Sequence, residues 1–223
     1  MNYYPKIKTV KLLDELSFEV KSLFGRTLLR RRAVIDVTKK PLLLDIGCGK
    51  NYTKGWVHID FYNIALLRFW RNFNGNKKVE VETDLRYPLK CPDDVVDGVY
   101  SGHTLEHLYP QEAYHMLKEI YRVLRHKSWL RINVPDLKRM VDYYNGKIDI
   151  SEYKYKAEGI ANLTQNYGHH SVWDEELLSK ALESIGFINI RKVAFGEEGT
   201  DKRLIKEESV RKAETLVVEA QKP

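Results

Sequence analysis

The stretch Pro41-Leu42-Leu43-Leu44-Asp45-Ile46-Gly47-Cys48-Gly49 decides how the rest of this chain is read. Its apolar run, Leu42 to Ile46, is too short for a globular helix and ends in glycines, so it reads as a buried parallel strand. Glycine after such a strand permits a positive φ and close approach of a ligand. In open α/β sheets the crevice at the carboxyl ends of the strands is where ligands bind. A Gly-x-Gly alone is equally compatible with a simple tight turn.

Similar short runs follow at Trp56–Ile59, Val79–Val81, Val95–Tyr100 and Trp129–Val134. Gln111 to Leu124 carries helical spacing at Ala113, Met116, Leu117, Ile120 and Leu124. Strands alternating with helices predict an α/β fold: a Rossmann-like open, mostly parallel twisted sheet with helices on both faces. Later, Leu137 to Tyr144 reads as a helix, Trp173-Asp174 leads another through Ser184, and Phe187–Val193 and Thr215–Ala220 read as strands. Asn145 to His170 is polar, tyrosine-rich and unpatterned, and Glu197 to Lys212 reads as a charged surface loop or short helix. The expected organisation is a basic amphipathic helical extension over residues 1–39 and an α/β domain over 40–223, with an insertion at about 136–170.

From Val10 to Arg32 apolar residues recur at roughly the spacing of one helix face, with Gly25 a potential break and Arg30-Arg31-Arg32 at the end. Cations suit the negative end of a helix dipole. The alternative is a basic amphipathic surface resting on a membrane or an anionic carrier lipid.

The 223 residues carry a formal charge of +6, which favours anionic partners in general. Cys48 and Cys91 are the only cysteines and neither suits a disulfide framework. No apolar stretch is long enough to span a bilayer and no secretory signal is visible. A cytoplasmic location, with peripheral membrane contact through residues 10–32, is the expectation.

Acidic residues mark later strand ends: Asp60 closes the second and Asp84 follows the third. A carboxylate at the first position can accept both ribose hydroxyls, and one at the second can accept an adenine amino proton. The third glycine of a dinucleotide fingerprint would fall at Tyr52, and no Walker phosphate loop occurs. An adenosine without a pyrophosphate remains.

These residues, together with Val96 to Leu108 and its Leu105-Glu106-His107-Leu108 run, resemble the class I S-adenosylmethionine-dependent methyltransferases, and most closely their small "type 11" branch, often linked to surface-polysaccharide pathways. The resemblance covers about Lys40 to the C-terminus. It implies S-adenosyl-L-methionine as cofactor, with Asp45, Gly47 and Gly49 at its methionine portion, Asp60 at the ribose, Asp84 at the adenine, and Ser101 and His103 facing the sulfonium. Asn51 stands where many relatives have a further glycine. Gly49 to Asp60 spans 11 positions, too few for a crossover helix plus strand, so the first helix is expected to shrink to a turn.

Methyl transfer from a sulfonium requires alignment of donor and acceptor, and a base only where the acceptor is protonated. His103, His169 and His170 are the candidate catalytic residues, and His107 reads as a packed or capping residue. No Asp, Glu or Cys stands at ligand spacing with His169-His170, so no metal site is expected. Tyr143, Tyr144, Tyr153, Tyr155 and Tyr167 could stack on a sugar or base, or pack a lid. The leading functional expectation is O-methylation of a sugar or glycan precursor, nucleotide- or lipid-diphosphate-linked. An N- or phosphate-directed transferase acting on a small metabolite stays open. Nucleic acid is disfavoured as a partner, because the basic residues are interspersed with acids and no Asn/Asp-Pro-Pro-aromatic segment is present. A cofactor-binding protein without catalysis is the remaining alternative.

Overall fold

A computed structural model describes residues 12–62, 79–197, 199–207 and 211–223. Seven strands form one sheet: β1 (Leu43–Ile46), β2 (Val57–Asp60), β3 (Val81–Glu82), β4 (Gly98–Gly102), β5 (Trp129–Pro135), β6 (Ile188–Val193) and β7 (Thr215–Gln221). Their order is β3-β2-β1-β4-β5-β7-β6. All neighbours pair in parallel except β7, which is antiparallel to both β5 and β6. The order reverses between β1 and β4, and that reversal opens the crevice in which such sheets hold ligands.

The expected strands are present with shifted ends. Val95 and Val96 do not join β4, because their amides instead bond to the Val123 carbonyl at the end of the helix that follows β4. Asp97 accepts the Leu42 amide at 2.8 Å, so β4 begins one residue later. β3 is only two residues long, because the Glu80 carboxylate turns back to accept the His58 amide.

Helix α2 (Pro110–Val123) buries Ala113, Met116, Leu117, Ile120 and Val123, an i, i+3, i+4, i+7 stripe. Its N-terminus is set by Pro110, whose missing N–H costs nothing there, and by Glu112, which accepts the Tyr109 amide. Helix α5 (Glu175–Ile185) is capped by Asp174 and stopped by Gly186 at φ 113°. Both helices pack on Leu44, Ile46, Val99, Leu130, Ile132, Leu216 and Val218, which form the main core. The opposite face presents Leu43, Tyr100 and Trp129. Among the described residues it is covered by Leu204 and the segment around it, which a buried Arg131 holds through Glu207 and Glu219.

The segment Asn145 to His170 is more ordered than its composition indicates. After α3 (Leu137–Tyr144), helix α4 (Lys156–Gln165) packs on α3 around Met140, Tyr143, Ile150 and Leu163. Its sequence hides it, because only Ile160 and Leu163 are large apolar residues and Gly159 interrupts it. That glycine allows close packing: a Cβ there would stand 3.2 Å from Met140 Sδ.

At the N-terminus, helix α1 (Leu12–Leu28) runs unbroken through Gly25, where the Tyr62 ring lies so close that any side chain would collide with it. A short 3₁₀ turn follows at Arg30–Ala33. Val10 and Lys11 of the expected helix lie outside the described residues. The docking of α1 combines polar contacts with one aromatic stack: Ser22 Oγ donates to Asp84 at 2.5 Å, Arg86 bridges Asp84 and Glu19, the Arg26 guanidinium covers the Tyr87 ring, and Phe18 stacks on Phe61 with ring centres 4.0 Å apart. Leu12, Leu13, Leu16, Val20, Leu23 and Leu28 face outward and are exposed. The apolar row is therefore not the face on which this helix packs.

Burial alone would raise the Asp84 carboxyl, but the hydrogen bonds from Arg86 and Ser22 outweigh it and hold the group below its ordinary value of 3.8. A depressed folded-state value means that the contribution to stability is complete above the unfolded value and is lost as pH falls through the folded one. Asp84→Asn should cost about 2–3 kcal/mol at neutral pH, since it strands a partly buried guanidinium, and this cost should vanish as pH drops below the carboxylate range. Urea denaturation at several pH values checks it. An equal loss at every pH would show that the pair does not dock α1.

Candidate cofactor and acceptor site

The loop after β1 is held by its neighbours rather than by a helix. Gly47 and Cys48 both donate to the Ile59 carbonyl, at 2.9 and 3.2 Å. Gly49 donates to Asp60 Oδ2 at 3.0 Å. Behind them the buried His58 fixes the strand-to-strand connection: Nδ1 donates to Glu80 at 2.9 Å, which leaves Nε2 to accept the Thr53 amide at 3.0 Å. Asp45 lies 3.8 Å from that same nitrogen and is not paired with it. The expectation of a crossover reduced to a turn is met.

Gly47 sits at φ 69°, and a Cβ would stand 2.0 Å from Thr104 Oγ1. Gly49 sits at φ 57° with no atom closer than 4.0 Å to its missing Cβ. The first glycine is a packing necessity. The second keeps a surface bare, as close approach of a ligand requires.

A cavity of about 280 Å³ opens there, near the small end of ligand sites; Asp45, Gly47, Gly49, Lys50, His103 and Asn133 are among its lining residues. Tyr100, Phe195, Lys206 and Arg211 also line it, and none of these four was singled out from sequence. The ammonium of Lys206 bonds the Asp45 carboxylate and lies 4.3 Å from the centre of the Trp56 ring. Burial pushes the Asp45 carboxyl up, against the pull of Lys206. A carboxylate beside an ammonium is complementary to an α-amino acid head group, which carries the same two charges in reverse. The methionine end of S-adenosylmethionine fits this pair. Asn133 adds a buried carbonyl oxygen with no partner in the protein.

The other expected cofactor residues divide. Asp60 stands at the end of β2 beside the glycine loop, accepting from Gly49 and Phe61, and is not itself among the lining residues. The Asp84 carboxylate is committed to Ser22 and Arg86 in docking α1 and is not among the lining residues. Ser101 is fully buried within β4, behind the cavity lining, and its hydroxyl lacks a partner.

His103 ends β4 in a left-handed conformation, φ 51°. Its Nε2 lies 2.9 Å from Thr215 Oγ1, and that hydroxyl donates to the Arg211 carbonyl. Nε2 therefore donates to Thr215, while Nδ1 lies 3.2 Å from Glu106 Oε1. His103 lines the cavity, and both of its ring nitrogens lie within hydrogen-bond reach of protein groups. His169 and His170 do not line the cavity. His170 stacks on Tyr109, with ring centres 4.3 Å apart, and its amide donates to the Glu106 carbonyl. His169 meets His107 edge to face at 5.0 Å. The fold thus brings Glu106 and His107, which are distant in sequence, to His169.

Burial would raise the Glu106 carboxyl, but the His103 contact outweighs it and keeps the group ionised. Of the insertion tyrosines, Tyr143 and Tyr153 pack the small core around Met140, whereas Tyr144, Tyr155 and Tyr167 are exposed.

Comparison with known proteins agrees with this geometry. Residues 44–132, about two fifths of the chain, match the profile of a family described as a methyltransferase domain. Among solved structures, a SAM-dependent methyltransferase from Archaeoglobus fulgidus is 20% identical, with a TM-score of 0.51 over 92% of this chain and 94% of that one. An exported protein of uncertain status from Bordetella parapertussis is 12% identical, with a TM-score of 0.50 over 100% of this chain and 76% of that one. These likenesses establish the fold. No curated protein sequence matches the chain. A methyltransferase-domain profile is thus matched across β1 to β5, on a Rossmann-like fold whose glycine loop and charge pair suit the methionine head group of S-adenosylmethionine.

Proposed function

We propose that the enzyme O-methylates a sugar or glycan precursor carrying phosphate, linked to a nucleotide or a lipid. The observation that carries this reading is the set of cations on the cavity: Lys50 and Arg211 line it beside Lys206. Cations converging on a small crevice raise the local concentration of an anionic acceptor. Exposed aromatic rings on Tyr109 and Tyr167, each beside a histidine, offer faces on which a sugar can lie.

A second observation concerns location. No helix among the described residues is long and apolar enough to cross a membrane. The outward apolar row of α1, followed by Arg30, Arg31 and Arg32, supports a peripheral contact with an anionic membrane surface, where a lipid-linked acceptor would be found.

Three outcomes test these readings. Calorimetry should show S-adenosylmethionine binding, abolished by Gly49→Val and weakened about tenfold, or 1.4 kcal/mol, by Lys206→Ala. Unchanged affinity in both variants would move the cofactor elsewhere. Methyl-donor consumption should be at least about tenfold faster with diphosphate-linked sugars than with the free sugars, in line with steering by charge, and Arg211→Ala should remove that preference. Equal rates would sink the phosphate-bearing acceptor. Sedimentation with phosphatidylglycerol vesicles should fall severalfold in a Leu16→Asp, Leu23→Asp variant, and unchanged sedimentation would exclude α1 as the contact.

A further inference from the structure

The turn that returns from the insertion to the sheet brings three candidate ligands together outside the cofactor cavity. Glu106, His107 and His169 each offer one ligand atom, all within 4.8 Å of one another. Glu106 is fully buried, with Oε1 facing His103 while Oε2 has no hydrogen-bond partner. A buried carboxylate oxygen left unmatched is costly unless something satisfies it.

His169 is arranged as ligands commonly are. Its Nδ1 donates to the Leu163 carbonyl at 2.9 Å, which leaves Nε2 with its lone pair free. The His107 ring meets the His169 ring edge to face, with ring centres 5.0 Å apart. Metal-bound histidines characteristically donate their second ring nitrogen to a carbonyl such as that of Leu163, which fixes both tautomer and orientation. The backbone between the elements is also set for this: Tyr167 at φ 57° and Gly168 at φ 76° turn the chain so that His169 meets His107, while the His170 and Ser171 amides both donate to the Glu106 carbonyl.

We propose that Glu106, His107 and His169 form a binding site for a borderline divalent transition metal such as Zn2+. Two imidazoles and one carboxylate form a donor set that such ions favour, and it leaves further coordination positions for water or an acceptor oxygen. Ligand atoms about 2.0–2.2 Å from an ion lie about 3.4 Å apart, so binding draws the three inward, and His169, which is only half-buried, supplies that movement. The ion would tie the end of the insertion to the turn after β4. It would also share Glu106 with His103, which lines the cofactor cavity. The site stands on its own residues and does not depend on the choice of acceptor.

The test is a titration of the metal-free full-length protein with Co2+, followed by its visible absorption, with Zn2+ as competitor. One Co2+ per chain should bind, Zn2+ should displace it, and His169→Ala should weaken binding at least tenfold. His169→Ala leaves the Glu106–His103 contact in place, and its thermal unfolding is compared with the parent to confirm folding. His126→Ala, far along the chain, should bind as the parent does. Absence of saturable binding, or unchanged affinity in His169→Ala, overturns the proposal. S-adenosylmethionine binding by the same metal-free samples is measured in parallel, so failure of the metal site leaves the methyltransferase assignment standing and loss of cofactor binding is seen separately.

Discussion

The contact on which the site rests is the one between Gly47 and Thr104. The chain leaves β1 in a left-handed conformation that brings the Gly47 Cα against the Thr104 side chain, and the Thr104 hydroxyl donates to the Ile46 carbonyl at 3.2 Å. β1 and β4 are the two strands between which the sheet order reverses, so this contact closes the floor of the crevice at its deepest point. Any side chain at position 47 would force the β4 end away from the β1 end. The glycine loop, the left-handed His103 and the turn bearing Glu106 are all positioned from that floor.

The connection from β1 to β2 shows how such a crevice survives without its usual helix. A helix would satisfy its own backbone groups and leave its first amides for the ligand. Here the amides after β1 go to Ile59 and to Asp60, and the Thr53 amide goes to His58. The work of a helix has passed to β2, at the cost of burying an imidazole that must be matched on both nitrogens. The Glu80 carboxylate makes that match and so also limits β3 to two residues.

Much of this was legible before any coordinates. Eleven positions between Gly49 and Asp60 leave no room for a helix, and that is a matter of chain length alone. Strand identity followed from short apolar runs bounded by Gly, Pro and Asp, because buried parallel strands carry no alternation to confuse them. What stayed hidden depended on distance along the chain or on which way a residue faces. Lys206 reaches Asp45 across 161 positions, and nothing local marks it among the charged residues around it. Asp84 was read as a ligand group because it follows a strand, but Arg86 two residues later and Ser22 on a distant helix take its oxygens first. The period of α1 was readable, but the direction of its apolar row was not, since Ser22 and Gly25 rather than the leucines face the protein.

Lys206 reaches the cavity through an ionic network on the sheet face opposite the main helices. Arg131 is fully buried in β5 and pairs with Glu219 of β7 and with Glu207, the residue after Lys206. Glu219 in turn accepts from Arg191 and from the Thr200 amide, so two guanidiniums face two carboxylates and the group is neutral as a whole. Buried pairs of this kind add little net stability over an apolar core, yet removing one member would leave a charge uncompensated. They fix geometry: once Glu207 is held at Arg131, Lys206 is confined to the neighbouring space over Trp56 and Tyr100, and there it pairs with Asp45. The Asp45–Lys206 pair therefore owes its second charge to a core arginine that never touches it, and the loop between β6 and β7 is as much part of the crevice as the glycine loop after β1.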